Sequence, residues 1–176
     1  MSGIVLWITG LPGSGKSTLA DGLKERFPDV VLLRMDEIRE IVTPAPTYSE
    51  EERDMVYRAV VFTAKTLSDL GHRVIIDATG NRRKWRDMAR HLIPGFREVY
   101  LLCSSLSAQQ REEARTDTRG APRDIYRKGR TGSPVPGIQV PYEAPLRPEL
   151  TLDTEVLTPG EAVAALAGLL AETPPS

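Results

Sequence analysis

The sequence predicts an α/β fold. A five-stranded parallel sheet flanked by helices forms one domain over residues 1–176, with a mobile basic lid near residues 115–149. Three observations support this. Short apolar runs alternate with longer stretches of helical spacing, the pattern of strand–helix–strand units. The first run leads into a glycine-rich loop and then a helix. Two later runs are closed by the acids Asp36 and Asp77, and open parallel sheets place their chemistry beyond the carboxyl ends of the strands.

The first run, Ile4 to Thr9, reads as a buried strand. Residues 10–18 follow it as Gly-Leu-Pro-Gly-Ser-Gly-Lys-Ser-Thr. They satisfy G-x-x-x-x-G-K-[ST], a P-loop made of Gly10, Leu11, Pro12, Gly13, Ser14, Gly15, Lys16, Ser17 and Thr18. Glycines without Cβ atoms let the backbone bring its N–H groups against a phosphate. Lys16 reaches the β- and γ-phosphate oxygens of ATP, and the Ser17 hydroxyl can ligate Mg²⁺. The helix starting at Ser17 turns its positive end toward the anion. A bare glycine turn would not need Lys16 and Ser17 as well.

Phe27-Pro28-Asp29 stops that helix, and Val30 to Leu33 forms a second strand. Asp36 and Arg39 follow where chemistry is expected, although Asp36 also suits a helix N-cap. Ser49 and Glu52 have capping-box spacing ahead of a helix from Glu50 to Leu70, which Gly71 ends. Arg53 and Arg58 lie on it. Arg73 to Asp77 is a third strand. Its terminal acid either holds Mg²⁺ through water or caps the strand end. Asp77-Ala78-Thr79-Gly80 fits D-x-x-G, but no N-K-x-D follows to read guanine.

Arg82, Arg83, Lys84, Arg86 and Arg90 make a basic cluster, either a solvated helix face or a contact for an anionic substrate. Arg97 to Cys103 is strand four, with Cys103 as a core residue, and Ser107 to Arg115 is a polar helix. Residues 116–149 turn rich in Arg, Gly and Pro; so long a loop inside one domain suits a lid that closes on nucleotide. Leu150 to Glu155 is strand five, and Thr158 opens the last helix.

A formal net charge of −1 gives no electrostatic footprint for nucleic acid or an anionic membrane. One cysteine fits a reducing compartment, and no apolar run approaches the ~18 residues of a bilayer span. The first strand starts too early to leave room for a signal peptide. A cytoplasmic protein is expected; a homodimer is compatible with all of this.

With these motifs in place, the chain resembles the adenylylsulfate kinase family. The resemblance rests on Trp7 to Thr18, on Pro141-Tyr142-Glu143-Ala144-Pro145, and on Pro148-Glu149-Leu150 with Leu152-Asp153-Thr154. It implies transfer of the γ-phosphate of ATP, with Mg²⁺, to the 3′-hydroxyl of adenylyl sulfate (APS), a small anionic acceptor. It also implies Asp36 as the catalytic acid–base beside Lys16, and Arg39, Arg53 and Arg58 as substrate arginines. Tyr126, Arg127 and Lys128 fall on the lid, and Arg115 on the arginine that opens it.

Departures concentrate on the acceptor side. Arg34 and Met35 stand where the family writes aspartate and glycine, Val56 where it writes asparagine, and Gly80-Asn81-Arg82-Arg83 where it writes Ser-Pro-Tyr-Arg. Val135 takes the place of an adenine-stacking phenylalanine, a loss of roughly 1–3 kcal/mol of base stacking. Three alternatives therefore stay open: another small anionic metabolite as acceptor, a polynucleotide 5′-hydroxyl, or a nucleotide switch without turnover.

Overall fold

The computed structural model describes residues 2–114, 135–137 and 140–171. In chain order the elements are β1 (Val5–Thr9), α1 (Lys16–Arg26), β2 (Val31–Arg34), α2 (Met35–Val42), α3 (Glu50–Asp69) and β3 (Val74–Asp77). They continue with α4 (Arg83–Leu92), β4 (Phe96–Leu102), α5 (Ser105–Glu113), β5 (Leu150–Asp153) and α6 (Pro159–Ala171). The five strands form one parallel sheet in the order β2-β3-β1-β4-β5. Central β1 therefore delivers the glycine loop to the middle of the sheet's carboxyl edge.

Both faces of the sheet are covered, so β1 is apolar on both sides and buried throughout. Leu6 and Ile8 point to one side with Ile75, Val99 and Leu101, under Leu19 and Leu23 of α1 and Leu166 and Leu170 of α6. Val5 and Trp7 point to the other with Val74 and Ile76, under α3 and α4. Full burial of side chains such as Leu6 and Ile8 contributes on the order of 1.5–3 kcal/mol each. On the second side Trp7, Tyr57 and Trp85 stack in series, with centroids 5.9 and 4.0 Å apart.

Local signals account for some of the helix ends. The Ser49 hydroxyl accepts from the Glu52 amide at 3.1 Å, and Gly71, at φ 88°, takes the left-handed position after α3. The reciprocal half of the capping box is absent. Glu52 instead accepts from the Thr47 amide at 2.5 Å and the Thr47 hydroxyl at 2.7 Å. Helix α5 starts earlier than expected because Ser104 caps it, accepting from the Ser107 amide at 3.2 Å. Helix α2 starts at Met35 with Arg34 in the cap position, so Asp36 sits in the first turn and is not the N-cap.

Candidate active site

Lys16 opens α1, and the loop before it is shaped by its glycines. Gly13 has φ 81°, and a Cβ there would lie 2.0 Å from the Ala108 carbonyl oxygen, so the loop presses against the backbone of α5. Gly15, at φ 99°, caps α1 without a side-chain bond, and no acid occupies the helix's first turn. The Lys16 ammonium donates to the carbonyls of Gly10 at 3.2 Å and Leu11 at 2.9 Å, which lays it along the loop. Backbone that only glycine can adopt, a helix end unguarded by acid, and a lysine over the cradle fit a nucleotide polyphosphate.

Beside the loop, β2 and β3 bring Arg34 and Asp77 together as register partners. Arg34 Nη1 lies 3.5 Å from Asp77 Oδ2 and its Nε lies 3.4 Å from Glu37, while Nη2 bonds Asp21 of α1. Asp77 thus ends its strand as expected, with its carboxylate already on a guanidinium. Among the described residues no group of three or more His, Cys, Asp or Glu side chains is placed to hold a metal ion. Any Mg²⁺ here would draw its ligands from Ser17, water and the phosphates.

The acceptor side is organised by α2 and α3. Arg39 lies over the Tyr48 ring at 5.1 Å and pairs with Glu52 at 3.4 Å. Hydrogen bonds from Thr47 and Tyr48 and the charge of Arg39 hold the Glu52 carboxyl below the usual range, against burial, which pushes it up. Arg53 donates from Nε to the Tyr48 carbonyl at 3.1 Å, and burial pushes its pKa down. Tyr57 lies buried on α3 one turn after Arg53. Burial raises its phenol pKa; the Gly80 amide and the charges of Arg39 and Arg53 oppose the rise, and Asp36 adds to it. Arg39 and Arg53 are gathered at Tyr48, whose ring lies under the Arg39 guanidinium and whose carbonyl accepts from Arg53.

Arg58 is not gathered with them: it is exposed, on a different side of α3 from buried Arg53. Arg115, Tyr126, Arg127 and Lys128 lie outside the described residues. Val56 is fully buried in the core against Tyr57 and does not line the site, and Val135 is buried too.

The basic cluster of α4 is bonded within the chain, with Arg86 buried and Lys84 on the surface. Arg86 is fully buried and bonds Glu98 at 2.7 Å; it also donates to the Glu143 carbonyl. Arg90 reaches Glu149 at 2.5 Å and Glu98 at 3.2 Å. Arg82 pairs with Glu143 at 3.1 Å, Lys84 with Asp54 at 2.7 Å, and Arg83 donates to the Ala144 carbonyl at 3.3 Å. These bonds bind the segment 141–149 along α4 and β4.

Sequence reasoning passed over Tyr57, named Asn81 only as part of a departure from the family, and used Tyr142 only as part of a motif. The Tyr142 hydroxyl shares a hydrogen bond of 2.9 Å with the hydroxyl of Thr9, the residue that leads into the loop. Its ring stacks on Tyr100 and lies under the Arg86 guanidinium. Only the Tyr142 motif gave a local signal; Tyr57 and Asn81 carry none.

Comparison with known proteins agrees with this geometry. The family model for adenylylsulphate kinase matches residues 2–153. A probable adenylyl-sulfate kinase of Archaeoglobus fulgidus is 36% identical over 157 residues, covering 86% of this chain and 96% of that protein. A probable bifunctional SAT/APS kinase 2 of Sorangium cellulosum is 35% identical over 98% of this chain, which spans only 29% of that longer protein. Among solved structures, the Mycobacterium tuberculosis APS kinase CysC in complex with AMPPNP and APS superposes with a TM-score of 0.84. That pair is 26% identical, covering 97% of this chain and 99% of the other. An intact glycine loop, an arginine-lined neighbouring site and a match through β5 lead to one conclusion: the chain belongs to the adenylylsulfate kinase family.

Proposed function

We propose that this protein is an ATP-dependent kinase that transfers the γ-phosphate to the 3′-hydroxyl of adenylyl sulfate. The observation that carries the reading is the gathering of Arg39 and Arg53 at Tyr48, in a chain that also keeps an intact phosphate cradle. Phosphoryl transfer needs mainly positioning and charge neutralisation. The loop amides and Lys16 hold the transferred group. Arg39 and Arg53 hold the anionic part of the acceptor, with Arg58 at most a distant contribution from its exposed position. Asp36 takes the proton of the acceptor hydroxyl as its oxygen bonds to phosphorus and ADP leaves. Mg²⁺, held by the Ser17 hydroxyl and through water by Asp77, would neutralise charge on the phosphates.

A second reading has its own support. Val56 has withdrawn into the core and Val135 offers no aromatic platform, so the acceptor's base is held less firmly than its anion. Another small anionic metabolite with a free hydroxyl is the alternative acceptor. A polynucleotide is disfavoured, because every member of the basic α4 cluster is bonded within the chain. No described helix is long and apolar enough to cross a membrane. Together with the lone buried Cys103 this supports a cytoplasmic location.

The test is ADP release measured with APS and with a panel of small hydroxyl-bearing anions. Release stimulated by APS is expected. Stimulation by another member alone transfers the assignment to that acceptor, and slow release indifferent to all of them identifies a switch.

A further inference from the structure

Asn81 is almost completely buried in the turn after β3, and three of its hydrogen-bonding groups tie together two parts of the molecule, α3 and the segment 141–143. Its Oδ1 accepts from Arg53 Nη1 at 3.5 Å. Its Nδ2 donates to the Pro141 carbonyl at 3.2 Å, and its own carbonyl accepts from the Glu143 amide at 2.8 Å. The turn has little freedom to adjust. The Gly80 amide donates to the Tyr57 hydroxyl at 2.9 Å, and a Cβ on Gly80 would lie 2.9 Å from the Trp7 ring.

Arg53 has a planar fork whose usefulness to an anion depends on the direction of its plane. Among the contacts that bear on that plane are Nε on the Tyr48 carbonyl and Nη1 on Asn81. Tyr48 precedes α3 and moves with it. Asn81 belongs to the sheet edge and, through Pro141 and Glu143, to the segment that leads into β5. It is thus the side chain through which that segment can act on the arginine.

We propose that Asn81 is a positioning residue for the acceptor: it aims Arg53 at the acceptor's anionic group and couples that aim to the placement of residues 141–143. The inference rests on the acceptor role assigned to Arg53 above. It predicts that Asn81 affects acceptor binding and does so through Arg53, whereas a merely structural residue would disturb both substrates.

The experiment is a double-mutant cycle of Asn81→Ala with Arg53→Lys in the full chain, read as KM for APS, KM for ATP and kcat. Asn81→Ala should raise KM for APS about tenfold, leave kcat within about twofold, and leave KM for ATP unchanged. On the Arg53→Lys background the same change should move KM for APS by less than about twofold, since the fork it aims is gone. Equal effects on both backgrounds, an equal rise in both KM values, or no rise in KM for APS would each overturn the proposal. Asn81→Ser takes the place of the alanine variant if that one does not fold, with the same outcomes.

A wild-type chain that does not phosphorylate APS refutes the assigned activity and leaves Asn81 to be judged by binding. In that case the cycle is read by calorimetry, titrating AMPPNP-saturated protein with pyrophosphate as the anion probe. Loss of affinity in Asn81→Ala that vanishes on the Arg53→Lys background supports the proposal. Additive losses, or none, overturn it.

Discussion

Arg34 and Asp77 face each other across the register of β2 and β3, with Nη1 3.5 Å from Oδ2 and side chains 15% and 7% exposed. The guanidinium also meets Asp21 and Glu37, so it balances three carboxylates at the edge that carries the phosphate cradle. Removing one partner of so buried a pair leaves an uncompensated charge, and that costs more than the pair itself contributes. Arg34→Asp should therefore lose on the order of 3–5 kcal/mol of stability in urea unfolding. Adding Asp77→Ser should recover part of the loss by removing the new like-charge contact.

The proposed function gives Lys16 and Asp36 roles toward ligands and not in the core. Lys16→Ala should lower kcat by about a hundredfold or more, since it removes a donor aimed at developing charge. Its unfolding midpoint should stay close to that of wild type. Asp36→Asn should lower kcat by roughly 10²–10⁴ through loss of the general base, with ATP affinity retained. Phosphoryl transfer within a few-fold of wild type in Asp36→Asn removes the base assignment.

Gly13 tests how the loop is supported. Its φ of 81° already disfavours a side chain, and an added Cβ would lie 2.0 Å from the Ala108 carbonyl oxygen, a backbone atom with no rotamer to change. Gly13→Ala should cost about 1–3 kcal/mol and displace the loop from α5. Gly15→Ala offers the contrast, because a Cβ there meets nothing within 4 Å and only the backbone term remains. Thermal unfolding of both variants, with nucleotide affinity, separates the two effects.

Glu143 gives the acid limb of the stability profile a specific origin. The Arg83 amide at 2.8 Å and the Arg82 guanidinium hold its carboxyl below the usual value of 4.5, with burial opposing. A carboxyl whose folded pKa is depressed contributes stability that is complete above the unfolded pKa and lost as pH falls through the folded one. Glu143→Gln should therefore be less stable than wild type at neutral pH. The gap should close as pH drops below about 4.5. A gap that is constant with pH would assign the effect to shape and not to charge.

The donor half of the site was legible because it is one continuous run, from the strand at Thr9 through Thr18, in which spacing alone fixes the geometry. The sheet was legible for a similar reason, since each strand carries a short apolar run. The acceptor half was legible only in part. Asp36 and Arg39 were visible as charged residues beyond the end of a strand and Arg53 through the family resemblance, but Asn81 meets Arg53 only after α3 has packed on the sheet. Arg58 is exposed on a side of α3 away from Arg53, a difference that helical position alone could have signalled. The α4 cluster was misread because its carboxylate partners, Glu98, Glu143 and Glu149, lie on other elements, and local composition cannot show which arginines will be neutralised. Asp36 lost its cap role when α2 began one residue after Arg34 ended β2.

Helix α1 rests on α6: a Cβ on Gly22 would meet the Val163 side chain at 2.7 Å, and Leu19 and Leu23 share a core cluster with Leu166 and Leu170. A ribosome releases residue 16 long before residue 166. During synthesis the glycine loop is thus among the first parts made and among the last to gain a firm seat. A nascent chain halted ahead of Pro159 would expose a greasy α1 flank, inviting chaperones before it could retain nucleotide.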